Sequence, residues 1–373
     1  YFLSQIFVIV AFIAVYKFAE EIFNNKNLAL LSVLLLEGIY FYNFTTPEFN
    51  VNVAQLPFWA LSIYYTWRVI NHGKTTDYAL LGLFVGLGIL SKYLFIYLII
   101  GIILVFFYFS KKGIKFFHLL IVGSITLLII SPHLIWLTEN NYITITYGLL
   151  RTGGPGSFVD HLIYPIIFLL KQVSLLIPFF LMSFFLIKKI KHKINLKDKK
   201  LVFLLLISIA PIFFMLLTSM IMGVKIRTMW MTPFYLSSGV LFIYIFQKNI
   251  LTTNLNKFNF IFLFFFLISP ISYLYISLSN DSKRTDYPGR EIARLVQNKW
   301  NNNFINEIKI VVGDEWSAGN LSYHLRSRPK WMYNLKNKVS SIESTDGVIY
   351  TGNPQILKEV CPGVFGTIKP VGY

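Results

Sequence analysis

Apolar blocks long enough to cross a bilayer dominate this chain, and they limit what it can fold into more than any motif does. About 20 helical residues span the ~30 Å hydrocarbon core, at ~1.5 Å each. Backbone amides meet no water there, so each block has to be helical. The apolar runs predict about ten spans, near 2–18, 28–44, 51–70, 78–91, 93–110, 116–137, 161–187, 201–222, 229–247 and 258–279. Ser91-Lys92-Tyr93 interrupts one pair, and Gly82, Gly86 and Gly88 just before it suit close helix approach.

Composition agrees: 55% of the residues are hydrophobic and 14% charged, too few for the polar skin of a soluble domain. The net charge of +17 could point to nucleic acid, but the lysines gather in short loops between apolar blocks. Lys111, Lys112 and Lys115 form one such loop, and Lys188, Lys189, Lys191, Lys193, Lys197, Lys199 and Lys200 another. The positive-inside bias explains them, so no nucleic-acid partner is expected and both loops are assigned to the cytoplasm. Alternation then puts 44–50, 91–93, 138–160, 223–228 and everything after 280 on the outer side. A single cysteine, Cys361, excludes an internal disulfide. The chain opens at Tyr1 directly on an apolar block, with no charged leader or cleavage site, which reads as an N-terminal truncation.

After residue 280 the pattern changes. Ile292, Leu295, Val296 and Trp300 share a helix face, and Ile308–Val312 reads as a buried strand followed by Gly313-Asp314. Gly347–Gly352 gives a second strand, and Asn353 could cap a helix over 354–360. The expected fold is therefore an α-helical polytopic membrane protein: a transmembrane domain over 1–280 and a small extracytoplasmic α/β domain over 281–373.

Charges within spans face a cavity or a partner. Glu37, Lys171 and Lys92 all fall toward the outer side, and a structural Glu37–Lys171 pair is the plain alternative to function. The outer loops add Glu48, Asn50 and Asn52 before the third span, Pro132-His133 with Trp136, and Lys225 and Arg227 before Trp230. Cations suit a phosphate, while carboxylates and amides suit hydroxyl-rich groups. An interfacial aromatic belt equally accounts for either tryptophan alone. No Gly-Lys-Ser/Thr phosphate loop, His-Glu-x-x-His helix or cysteine pair is present, so ATP use and zinc are not expected.

Thr46-Pro47-Glu48-Phe49-Asn50-Val51-Asn52 with Leu56-Pro57-Phe58-Trp59 resembles the opening of the third span in bacterial polyprenyl-phosphate-sugar glycosyltransferases. These belong to the C superfamily of membrane glycosyltransferases, with protein O-mannosyltransferases and the lipid A aminoarabinose transferase. The glycine-rich run ending in Ser91-Lys92-Tyr93, the Ser131-Pro132-His133-Leu-Ile-Trp136 element and the basic loop Lys225–Trp230 are similar to further family motifs, in the same order. The resemblance covers 1–280 well and the C-terminal domain more loosely.

The resemblance implies an outward-facing site in a bacterial cytoplasmic (inner) membrane, taking a sugar from a polyprenyl phosphate with inversion. The acceptor would be a cell-envelope glycan, lipid (lipopolysaccharide among them) or protein. It implies no cofactor beyond that donor substrate and leaves a divalent-metal requirement open. The family's acidic base lies in a first outer loop, expected N-terminal to Tyr1, so no catalytic residue carries over; Glu48 is a distant second choice for the base. Lys92, Lys225 and Arg227 would hold the phosphate, Glu48, Asn50 and Asn52 the sugar, and Tyr93, His133 and Trp230 complete the substrate site. Two other classes stay open: a lipid or solute transporter or flippase, and a non-catalytic envelope-assembly subunit.

Overall fold

The computed structural model describes residues 1–110, 116–154, 156–187, 195–250, 254–280 and 286–333, together with 335, 343, 345–353 and 355. The loop lysines 111, 112, 115, 188, 189, 191 and 193 lie outside the described residues, as do Cys361 and, apart from Gln355, the expected helix over 354–360. The chain divides into two compact units, Tyr1–Tyr275 and Ile276–Tyr373.

The first unit is helical throughout. Helix α1 (Phe2–Phe23) ends where Asn24 turns left-handed at φ 50°. Asn25 then starts α2 (Lys26–Leu34), its side chain accepting from the amides of Asn27 and Leu28 at 2.9 and 3.2 Å. The single span expected over 28–44 is broken here. After α2 the chain tightens into a 3₁₀ turn, Leu35–Gly38, extends at Ile39, and makes one further turn, α3 (Tyr40–Asn43). The break packs closely on a neighbouring helix: a Cβ at Gly38 would lie 2.6 Å from the Phe179 Cα. Asn50 caps α4 (Val51–His72), which stops at Gly73 with φ 61°. The next helices are α5 (Thr75–Ser91) and α6 (Ile96–Phe109), separated by extended Lys92 and a 3₁₀ turn at Tyr93–Phe95. Helix α7 (Phe116–Glu139) lies along α5, where Gly82 leaves room for the Val122 carbonyl and Gly86 for Ile129.

The unit continues with α8 (Ile143–Thr152), α9 (Asp160–Leu175), α10 (Ile177–Leu186) and α11 (Lys199–Met222). A 3₁₀ segment, Thr228–Tyr235, leads into α12 (Ser238–Phe246), and α13 (Leu255–Ser279) closes the series. Four helices (α1, α7, α11, α13) are long and apolar enough to span a bilayer, and up to six spans result if two bent pairs each count as one. Those pairs are α9 with α10, bent by 48°, and the 228–235 segment with the helix after it, bent by 51°. Helices α5 and α6 are shorter apolar elements. The fold is thus a helical bundle consistent with a polytopic membrane protein, in which four to six candidate spans pass that test among the described residues.

At the end of the bundle opposite Lys92, α1, α4 and α5 meet in a polar knot. The Arg68 guanidinium donates to Asp77 Oδ1 at 2.9 Å, to Glu21 Oε1 at 3.3 Å and to the Tyr64 hydroxyl at 3.1 Å. Asp77 is 2% exposed.

In the second unit, α14 (Gly289–Asn301) packs Ile292, Ala293, Val296 and Trp300 onto β1 (Ile308–Gly313). Leu295, expected on that face, is 48% exposed, and Ala293 takes its place. Helix α15 (Ser317–His324) then crosses to β2 (Lys330–Met332), and β3 (Gly347–Thr351) pairs on the other side, giving a parallel sheet in the order β2-β1-β3.

Candidate functional site

Residues 44–50 are fastened before they can shape a site. Ser4 Oγ and Gln5 Nε2 both donate to the Thr46 carbonyl, and the Thr46 hydroxyl donates to Tyr42 O at 2.9 Å. Phe49 rests edge-on against Phe7 with centroids 5.2 Å apart. This anchored segment walls a cavity of about 300 Å³ with Glu48, Asn50 and Asn52, at the lower end of the range for small-ligand sites. Tyr40 and Phe44, stacked at 5.4 Å, supply an aromatic side; Met229 and Thr232 come from the 228–235 segment and Tyr273 from α13.

Asn50 serves the backbone first. Its Oδ1 caps α4 at the Asn52 amide, 2.9 Å away, and its Nδ2 donates to Glu48 O at 3.1 Å. Capping aims the first turn of α4 so that Asn52, 7% exposed, reaches inward. Lys92 Nζ donates to Asn52 Oδ1 at 2.6 Å, and the ammonium lies 5.3 Å from the centroid of the Trp230 ring. An amide oxygen and an aromatic face can hold an ammonium without pairing off its charge, an arrangement suited to receiving an anion. One turn along α4, Gln55 is fully buried; its Nε2 reaches the Lys92 carbonyl at 3.5 Å and its Oε1 has no hydrogen-bond partner.

The structure thus brings Glu48, Asn50, Asn52, Lys92 and Trp230 to one neighbourhood. Tyr93 and His133 form a second cluster: the Tyr93 hydroxyl lies 2.6 Å from His133 Nε2 and 2.7 Å from Thr144 Oγ1, and His133 stacks on Trp136 at 5.7 Å. Adjacent residues Lys92 and Tyr93 therefore serve two different groups. Lys225 and Arg227 are exposed on the segment leading into Thr228–Tyr235; neither lines the cavity, although Met229 and Thr232 just beyond do. Lys171 is exposed on α9, Glu37 is half-buried in the 3₁₀ turn, and no ion pair joins the two among the described residues.

Sequence reasoning missed Tyr40, Phe44, Thr232 and Tyr273. Tyr40 and Phe44 carried a weak signal, two rings four residues apart beside Glu37. Tyr273 carried none, being one ring in a helix full of them.

Residues 1–136 match the family model for dolichyl-phosphate-mannose-protein mannosyltransferases. The matched stretch contains Glu48, Asn50, Asn52, Lys92, Tyr93 and His133, and stops short of Lys225, Arg227 and Trp230. No curated protein and no solved structure matches the chain.

Proposed function

We propose that this chain is a membrane glycosyltransferase that moves a sugar from a polyprenyl-phosphate donor to a cell-envelope acceptor. The observation that carries the reading is the Lys92–Asn52–Trp230 arrangement beside the cavity formed by Glu48, Asn50 and Asn52. The similarity of 1–136 to a mannosyltransferase family supports it. Lys92 binds the donor phosphate, and the cavity takes the sugar, its hydroxyls meeting the amides and the Glu48 carboxylate and its C–H face the aromatic side. An acceptor oxygen, giving its proton to a base, bonds to the anomeric carbon as the bond to phosphate oxygen breaks. The polyprenyl phosphate leaves with the electron pair, and the configuration inverts. A cation held beside that phosphate stabilises the charge as it develops.

The same reading places the site on the outer face of a bacterial inner membrane, with the second unit extracytoplasmic and the shorter or broken apolar helices completing about ten crossings. Lys225 and Arg227, exposed near the mouth, first attract the anionic lipid head and then flank its phosphate. A transporter would instead use the broken second span, where Glu37 sits; Lys171, its expected companion on such a path, is exposed on another helix.

The test is sugar transfer by the full-length protein in liposomes supplied with polyprenyl-phosphate sugars and envelope extracts. Lys92→Met is expected to lower turnover by roughly 10²–10³, the usual cost of losing one transition-state charge contact. Lys225→Ala with Arg227→Ala should mainly raise KM. Unchanged turnover in Lys92→Met would remove the phosphate assignment, and donor movement across the bilayer without transfer would replace the enzyme reading with transport.

A further inference from the structure

Helix α8 is built inside-out. Thr144 ties it to the rest of the protein, its Oγ1 lying 2.7 Å from the Tyr93 hydroxyl. At about 100° per residue, Thr144 and Gly148 fall on one side of the helix; the apolar Ile143, Ile145, Tyr147 and Leu149 spread over the remaining arc, which Thr146 interrupts. Those four are 57, 42, 42 and 57% exposed. A helix tethered through Thr144 that leaves its apolar residues open points to lipid, not water, as their solvent.

Its surroundings name the occupant. One chain neighbour is α7, apolar along its length and exposed at Leu127, Leu128 and Ile135; the other is the bent pair α9–α10, exposed at Leu162 and Ile166. The open side of α8 therefore lies, in sequence, between candidate spans that expose apolar residues of their own. Trp136 in the last turn of α7, Tyr142 in the turn and Tyr147 in α8 are exposed, amphipathic rings of the kind that settle at the headgroup level. The turn is unusual as well. Asn141 and Tyr142 are successive left-handed residues, with φ of 52° and 53°, a conformation L side chains avoid unless the surroundings impose it.

We propose that α8 lies in the headgroup–acyl boundary of the bilayer, with its apolar side in lipid and its polar side held to the protein through Tyr93. The inference concerns a lipid surface and does not rest on the transfer reaction. Because Tyr93 follows Lys92, the arrangement also ties the membrane surface to the backbone break from which Lys92 reaches Asn52.

The experiment uses the full chain with Cys361→Ser in phospholipid nanodiscs, spin-labelled in turn at Ile145→Cys, Leu149→Cys and Gly148→Cys. Collisional relaxation is read with oxygen, which concentrates in lipid, and with a water-soluble nickel chelate. At 145 and 149 oxygen is expected to exceed the chelate several-fold, with the preference lost at 148. Chelate dominance at 145 and 149 would show a water-facing helix, and low access to both reagents a site covered by another chain; either overturns the proposal. Thr144→Val should raise label mobility at 145 while leaving its oxygen preference intact. A loss of that preference instead would mean that the lipid contact is incidental to the Tyr93 clasp, which also counts against the inference.

Discussion

Replacing Arg68 with methionine tests how the end of the bundle opposite Lys92 is held. The substitution keeps the apolar stem and removes the guanidinium, which touches Asp77, Glu21 and Tyr64. Asp77 decides the magnitude: its side chain is 3% exposed, and its second oxygen has no hydrogen-bond partner. Without Arg68 it becomes a buried, uncompensated carboxylate, relieved only partly by its place in the first turn of α5. Breaking a buried pair from one side costs roughly 3–5 kcal/mol. Glu21 is 25% exposed and Arg68 26%, so water recovers part of that loss, and the Glu21 arm adds under ~1 kcal/mol. The expected destabilisation is about 3 kcal/mol, read from unfolding of the purified protein in detergent by near-ultraviolet circular dichroism. Asp77→Asn in the same background should recover at least ~1 kcal/mol against the sum of the single changes, because neighbours in one network do not add. A loss below ~0.5 kcal/mol, or strict additivity, would refute the claim that a buried charge pair clamps α1, α4 and α5.

The remaining tests are shorter. A Cβ at Gly239 would lie 2.0 Å from the Ser32 carbonyl oxygen, so Gly239→Ala should force α12 from α2 and cost at least about 1–3 kcal/mol; Gly123→Ala, with nothing within 4 Å, should gain up to ~1 kcal/mol from helix propensity in the same melt. Tyr235→Phe strips the 2.8 Å hydrogen bond to Gln172, whose Nε2 is already unpartnered, and should cost about 1–3 kcal/mol in that assay. In the second unit, the Lys309 ammonium 2.8 Å away holds the Asp346 carboxyl below its usual range. A lowered folded-state pKa gives stability that is present above the unfolded value near 3.8 and fades as pH falls through the folded one. Hydrogen exchange at Gly347–Thr351, at the strand beside Asp346, should therefore accelerate at acid pH beyond its intrinsic trend, and Lys309→Met should remove that acid limb.

Much of the bundle could be read from apolar run length, since a run with no water partner has to be helical. Helices α1, α4, α7, α11 and α13 fall where the runs do. The break at Leu35–Gly38 could not be read, and its close approach to Phe179, more than a hundred residues later, is visible only in the packing. Lys92 was legible as a charge that needed a partner, and Asn52 as a polar residue at a helix start; their 2.6 Å contact was not. The Arg68 knot escaped notice for a related reason. Each of its charges sits near a helix end, where solvated residues are ordinary, and only packing shows Asp77 to be buried. Lys225 and Arg227 mark the limit of reading a basic loop: sequence placed them near the right segment, whereas the backbone turns Met229 and Thr232, not the cations, toward the cavity.

The cavity has a history written into chain order. Its walls come from 40–53, from 229–232 and from Tyr273 in α13. By the end of α7 a ribosome has made the whole of the 1–136 segment that matches the mannosyltransferase family model, yet only one wall of the pocket. The opposite side waits for more than ninety further residues, and Tyr273 arrives with the helix that closes the first unit. A partly inserted chain thus holds Lys92 and Asn52 in the membrane with no enclosed site around them, and the pocket appears only when the bundle is complete.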